Sequence, residues 1–418
     1  MPRTPSRRAI LKLGLPSLLL AACGSDGGAA TPGEHAAATE VELVSWWVAP
    51  SELDALQALF AVYKSNYPND GIRNVGYATG DLARATIEER ITANKPPDLY
   101  QENAYDLPPL VAKYPDSFQS LTDFFKQQGL FDVIVPEVIQ SVTIDGEIRA
   151  MPVNIHRENA LLYNKKVFDS LKLEVPTTLD EFLSVCSKLK AAGVTPLAAA
   201  YEGWILRIVF NSLAAASMGI TAFESYFTGK TALDEAALRA VIELFDNVLA
   251  NYVNASASQP DFAWTDATDL LLSGEAAMFI HGDWAKGYLV QRGFDPGIEF
   301  GVVGMPGAAD LFLYGVDAFA VMTGGHQPEA TERFLRTVGS PAGQIAFNRL
   351  KGSSPIRLDI DLELLDPSGR ITLQDLRDAK IRMLTVSNPA WDDALAAFAV
   401  SRDADALLAA FVANPPGK

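Results

Sequence analysis

The chain has 418 residues, of which 49% are hydrophobic and 20% charged, so it carries ample apolar material for buried cores. Its formal net charge of -17 is the wrong sign for a nucleic-acid or anionic-lipid binder, and both roles are set aside. Four histidines stand far apart at 35, 156, 281 and 326, without the short ligand spacings of zinc sites, and no P-loop, G-x-S-x-G or dinucleotide glycine pattern is present. Neither a metal nor a cofactor is expected.

At the N-terminus, Arg7, Arg8 and Lys12 lead into an apolar stretch ending in Leu18-Leu19-Leu20 and the small residues Ala21-Ala22. A charged head, a short apolar middle and small residues before a cut site read as an export signal over residues 1–22, too short to span a membrane as a mature helix. Leu20-Ala21-Ala22-Cys23 resembles the lipobox of bacterial lipoproteins, which implies that Cys23 is acylated and becomes the mature N-terminus. Ser6-Arg7-Arg8-Ala9-Ile10-Leu11-Lys12 resembles the twin-arginine export pattern, with Ile10 where Phe is frequent. The expected address is extracytoplasmic and lipid-anchored. Loss of the signal removes Arg3, Arg7, Arg8 and Lys12 and leaves the mature chain more acidic still.

Residues 23–40 are small, polar and broken by Gly and Pro, a composition that cannot bury a core and reads as a disordered tether. With Cys23 acylated, Cys186 is the one remaining thiol, so no disulfide can form within the chain. Phe182, Cys186 and Leu189 share one face of an amphipathic helix, which makes Cys186 a buried structural residue.

Residues 41–418 are too many for a single core and suit two lobes. Val41–Trp46 reads as a strand. A helix follows from Pro50-Ser51-Glu52 to Tyr67, with Ser51 as the expected N-cap. A strand over 71–79, a helix over 81–93 and a strand from Pro96 onward complete a βαβαβ opening, which predicts a parallel sheet. Ligands settle at the carboxyl ends of such strands, here Trp46-Trp47, Tyr77–Gly80 and Gln101–Asn103. Helical spacing recurs over 176–191, 206–217, 221–228, 233–252 and 265–273, with a capping-box start at Thr178 and Glu181. Short buried strands at 276–280 and 316–322, helices near 328–338 and 341–348, and further helix close the chain.

Three stretches occur together: Ala150–Asn159 (AMPVNIHREN) with Leu162-Tyr163-Asn164, Pro176–Phe182, and Gly274–Met278 with Gly282-Asp283-Trp284-Ala285. In this order they resemble the extracellular solute-binding proteins of sugar ABC transporters. Ser45-Trp46-Trp47 and Phe347–Ser353 bring the resemblance nearest to glucose-type, monosaccharide-binding members. The resemblance implies an α/β fold of the periplasmic-binding-protein type, two lobes joined by a multi-crossing hinge with the ligand cleft between them. The N-terminal lobe is expected from 41–152 plus 312–352 and the C-terminal lobe from 153–311 plus 353–418. It further implies a monomer that captures a hexose such as glucose and delivers it to permease subunits.

A hexose presents hydroxyls at its rim and C–H groups on its faces, so a site needs aromatic walls and charged or amide groups. Consecutive Trp46 and Trp47 point to opposite sides, one to the core and one to the cleft. The resemblance assigns Glu52, Gln101 and Lys351 to sugar hydroxyls and Trp264 and Trp284 to the aromatic wall, and Asp317 joins the polar candidates on its own setting in the strand. Asn103 stands where glucose-type members often carry histidine, and Asn388 is taken as substitute for a C-terminal histidine of the family. Asp317, an acid in an apolar strand, needs a partner, and Lys351 is one candidate. His156, in the crossover segment, is read as a hinge residue. Two other functions compete with transport: a lipid-anchored glycoside hydrolase with Glu52 and Asp317 as its acid–base pair, and a sugar-sensing receptor subunit.

Overall fold

The computed structural model describes residues 39–416; the signal, Cys23 and most of the tether lie outside the described residues. The opening βαβαβ unit forms as its pattern predicts. Thr39–Ser45 pairs in parallel with Asp70–Gly76 on one side and with Leu99–Asn103 on the other. Asp317–Val321 then joins Leu99–Asn103 antiparallel, and Met151–Pro152 closes the five-stranded sheet. In that register Asp317 lies opposite Asn103 and Phe319 opposite Gln101, so all four side chains share one face of the sheet.

The helix after the first strand spans Pro50–Asn66, two residues earlier than a cap at Ser51 allows. Ala49 is the N-cap, Pro50 stands where a missing N–H costs nothing, and Ser51 is buried inside the first turn. The capping box at Thr178 forms as expected and starts the Leu179–Ala191 helix. On that helix Cys186 is buried, and burial pushes its thiol pKa up to about 12.

A second sheet runs in the order Phe300–Gly304, Ala160–Asn164, Ala276–His281, Thr195–Ala198. Between the two lies a three-stranded sheet of Ile381–Leu384, Leu311–Gly315 and His156–Arg157. Its middle strand serves both lobes: Phe312 and Tyr314 enter the core of the first lobe, while Leu311 and Leu313 enter that of the second. The period-two alternation of a strand thereby becomes a hinge, one face for each lobe.

The packing corrects the expected lobe boundary at 352/353. Ile356, Ile360, Leu365, Leu373 and Leu376 all pack into the first core, and the chain returns to the second at Ile381 and Met383. The cause is a turn back after Gly352: Ile356 N–H donates to Gln344 Oε1 at 2.9 Å, and Ile356 O accepts from Val135 N at 3.0 Å. Val153 and Ile155 likewise belong to the first core, one and three residues beyond the expected crossing after 152.

Candidate functional site

The first strand ends at Ser45, whose hydroxyl donates to Asn74 Oδ1 at 2.7 Å and accepts from Trp47 N at 3.2 Å. This pins the turn that splits the tryptophan pair. Trp47 is 1% exposed, wedged between Phe319 and Phe347 at centroid distances of 5.7 and 5.3 Å, and is a core residue rather than a ligand contact. Trp46 is half-buried beside Gly80, where an added Cβ would come within 3.6 Å of the indole, at the carboxyl end of the sheet.

Lys351 stands at the end of the Pro341–Lys351 helix with its ammonium 5.3 Å from the Trp47 ring. Its Nζ donates to Glu52 Oε1 at 2.8 Å, so its direct partner is Glu52 and not Asp317. Burial disfavours the ammonium, but the charges of Glu52 and Asp317 outweigh it and hold the pKa above the ordinary lysine value.

Asp317 is buried and its carboxylate is well supplied. Asn154 Nδ2 donates to Oδ2 at 2.8 Å, His156 Nε2 lies 3.3 Å from the same oxygen, and Gln101 Nε2 donates to Oδ1 at 3.5 Å. Burial raises the pKa, yet the His156 hydrogen bond, the Lys351 charge and the Asn154 amide together bring it below the usual aspartate value. Gln101 also accepts from Trp46 N at 3.5 Å. Asn103, opposite Asp317 at the strand end, is half-buried.

The second lobe supplies the aromatic wall. Trp264 opens the Trp264–Ser273 helix and stacks on His281 at 5.7 Å and 21°; His281 in turn meets Trp284 edge-on at 4.8 Å. A Cβ on Gly282 would sit 1.8 Å from the Trp284 ring, so only glycine lets the indole fold back over its own loop. Asp283, between them, is fully buried and reaches His156 Nδ1 at 2.6 Å and Lys286 Nζ at 3.5 Å.

Several groups beyond the expected ligands join the site. Asp283 lies inside the Gly282-Asp283-Trp284 motif with no local mark of its role. Trp204 extends the wall, 6.0 Å from Trp284. Arg207, an arginine in the apolar run Ile205–Phe210, is buried with Glu158 at 3.8 Å and Asp392 at 2.8 Å. Such an arginine in a buried helix face is the signal that could mark the cluster from sequence. Asn388 serves as a helix cap: its Oδ1 accepts from Ala390 N at 3.0 Å at the start of the Pro389–Ser401 helix.

The lobes touch directly beside this group. The Pro50–Asn66 and Pro341–Lys351 helices both pack on Ala285–Gln291, and Gln291 Nε2 donates to Asp54 Oδ2 at 3.2 Å. A surface hollow of about 620 Å³ lies elsewhere, around Met218, Ile220, Tyr226 and Ala237. Its lining is mostly small and apolar, so convergence of polar groups, not volume, marks the site.

The charged and amide groups around Asp317 on one lobe thus meet the aromatics of the other through His156, whose ring lies 5.0 Å from that of Trp284. Residues 49–345 match the bacterial extracellular solute-binding protein family, and the chain belongs to it. It is 31% identical over 399 residues to an uncharacterised ABC transporter extracellular-binding protein of Pyrococcus horikoshii, covering 91% of this chain and 87% of that one. A probable sugar-binding periplasmic protein of Mesorhizobium japonicum is 31% identical over 356 residues, 82% of each chain. Among solved structures, the bacterial solute receptor AcbH, described as preferring β-D-galactopyranose, superposes with a TM-score of 0.76 at 15% identity, over 89% of this chain and 96% of that one. A match at that identity establishes the shared two-lobe fold.

Proposed function

We propose that this protein is the sugar-binding component of an ABC-type importer, that it takes a monosaccharide, glucose or a similar hexose, into the cleft, and that it hands the sugar to permease subunits. The observation that carries the reading is the Asp317 group facing the Trp264–Trp284 wall: ionised hydrogen-bond acceptors and donors on one side, aromatic faces on the other. Trp46, Glu52, Gln101, Asn103, Asp317 and Lys351 act from the first lobe, and Trp264, Trp284 and Trp204 from the second. A sugar that touches both lobes shifts the population toward the closed form.

Acylation of Cys23 after export, by the twin-arginine route, would tether the domain beside its permease and raise its local concentration there. Labelled fatty acid entering the wild type but not a Cys23→Ser chain tests this step. The hydrolase alternative needs a carboxyl group kept protonated, whereas the surroundings of Asp317 favour its ionised form. Calorimetry with glucose, galactose, mannose, xylose and disaccharides tests the whole proposal. Binding of a monosaccharide tighter than millimolar supports it, and a preference for disaccharides replaces it with an oligosaccharide receptor.

A further inference from the structure

His156 lies in the crossing strand His156–Arg157, with a carboxylate of each lobe at its two nitrogens. Asp283 of the second lobe is 2.6 Å from Nδ1, and Asp317 of the first lobe is 3.3 Å from Nε2. We propose that His156 couples protonation to lobe closure, so that the protein takes up a proton as it closes on its sugar. The inference rests on the capture function proposed above.

Asn154 provides partners for both protonation states. Its Oδ1 accepts from Asp317 N–H at 2.9 Å, which directs its Nδ2 toward both Asp317 Oδ2 at 2.8 Å and His156 Nε2 at 3.0 Å. With the amide so oriented, a neutral imidazole accepts at Nε2 and donates from Nδ1 to Asp283. A protonated ring instead presents Nε2–H to Asp317. Both states are satisfied in the assembled site, but an opening hinge separates Asp283 from Asp317. Whichever lobe His156 follows, one carboxylate leaves it.

The groups facing the ring from neighbouring elements are Asp283, Asp317, Lys351 and His281, with Glu158 near it on its own segment. His281 is held neutral, its pKa pushed down to about 3 by burial, and Lys351 repels the imidazolium. Burial also opposes the charge, yet the hydrogen bonds to Asp283 and Asp317 outweigh both and keep the pKa above the ordinary histidine value. The contribution to closure is therefore fully present below the pKa of the open form. It fades as pH rises through the higher pKa of the closed form. Linkage of one proton limits the gain in affinity to about tenfold per pH unit as the pH falls.

Two measurements test this, one of them without sugar. In the full chain carrying Cys23→Ser, Asp54→Cys and Gln291→Cys, a short bis-maleimide joins the lobes across the Asp54–Gln291 contact, and the histidine Cε1–H resonances are titrated by NMR before and after joining. The His156 signal, assigned with His156→Gln, is expected to titrate at higher pH in the joined protein, and adding Asp283→Asn is expected to bring it down. Equal midpoints before and after joining overturn the proposal whatever the solute is. In the second measurement, calorimetry with glucose or the monosaccharide that binds best, in buffers of different ionisation enthalpy near pH 7, is expected to show proton uptake that His156→Gln abolishes. The same uptake in that variant overturns it. Absence of any sugar binding strikes the capture reading and leaves the joined-lobe result to decide this one.

Discussion

Gly287 and Gly352 meet backbone to backbone where the lobes touch: a Cβ on Gly352 would lie 2.5 Å from Gly287 N, and one on Gly287 would lie 2.4 Å from Leu350 O. Gly352 also needs glycine for its own conformation, with φ +80° at the C-cap of the Pro341–Lys351 helix. Gly287 sits inside the Ala285–Gln291 helix and is free of that constraint. Its lack of a side chain therefore serves the contact alone.

Gly287→Ala should consequently hinder closure without disturbing either core. The colliding atoms are backbone and cannot swing away. Sugar affinity is expected to fall roughly tenfold, about 1.4 kcal/mol, with little change in melting temperature of the free protein. Calorimetry paired with thermal melts checks both halves of this expectation.

The polar half of the site depends on Asp317 and Lys351. Asp317→Ala removes an ionised acceptor from a buried position, and each hydrogen bond to such a group is worth about 1.5–3 kcal/mol. Affinity should drop on the order of a hundredfold. Lys351→Ala should lose binding comparably, and retained affinity in both variants removes the polar half of the site.

Glu52→Gln isolates the ion pair from the ligand. It leaves Lys351 buried with Asp317 as its remaining counter-charge, but Glu52 keeps some exposure, so the cost should fall below that of breaking a fully buried pair. A loss of about 1–2 kcal/mol is expected in urea unfolding.

Far from the cleft, Asp70 is bound by Arg333 at 2.6 and 3.1 Å, and that pairing, against the opposing effect of burial, lowers its pKa to about 2. A depressed folded-state pKa gives stability that is present above the ordinary aspartate value near 4 and is lost as pH falls through about 2. Asp70→Asn should therefore lower the melting temperature at pH 6 but flatten its decline between pH 5 and pH 2. An unchanged acid limb in the variant removes Asp70 from the acid sensitivity.

Cys186 should resist thiol reagents in the folded protein, being buried with its pKa pushed up to about 12. At pH 8, modification should proceed at the rate of unfolding and be accelerated by urea. Fast modification in native buffer contradicts its core placement.

The elements with strong periodicity are legible in the residues, as is the sheet edge that gathers Trp46, Gln101 and Asn103. What the residues alone leave open is long-range. Alternation implies that Trp46 and Trp47 part company, but which one faces the cleft follows from packing against Phe319 and Phe347, hundreds of residues away. Asp283 shows no local sign of its role because its partner His156 lies 127 residues earlier. The lobe boundary expected after Gly352 is displaced because Gln344, through its side chain, folds the segment at Ile356 back onto the first core. Asn388 has the chemistry of a sugar ligand, but a helix N-terminus claims its oxygen first.

The central claim is that one monosaccharide bridges the Asp317 group and the Trp264–Trp284 wall. Titration calorimetry of the wild type and Asp317→Ala against the same panel of mono- and disaccharides tests it most directly. A monosaccharide should bind the wild type at micromolar affinity or tighter and lose on the order of a hundredfold in the variant. If no sugar binds the wild type more tightly than millimolar, or if the variant binds equally well, the claim is contradicted.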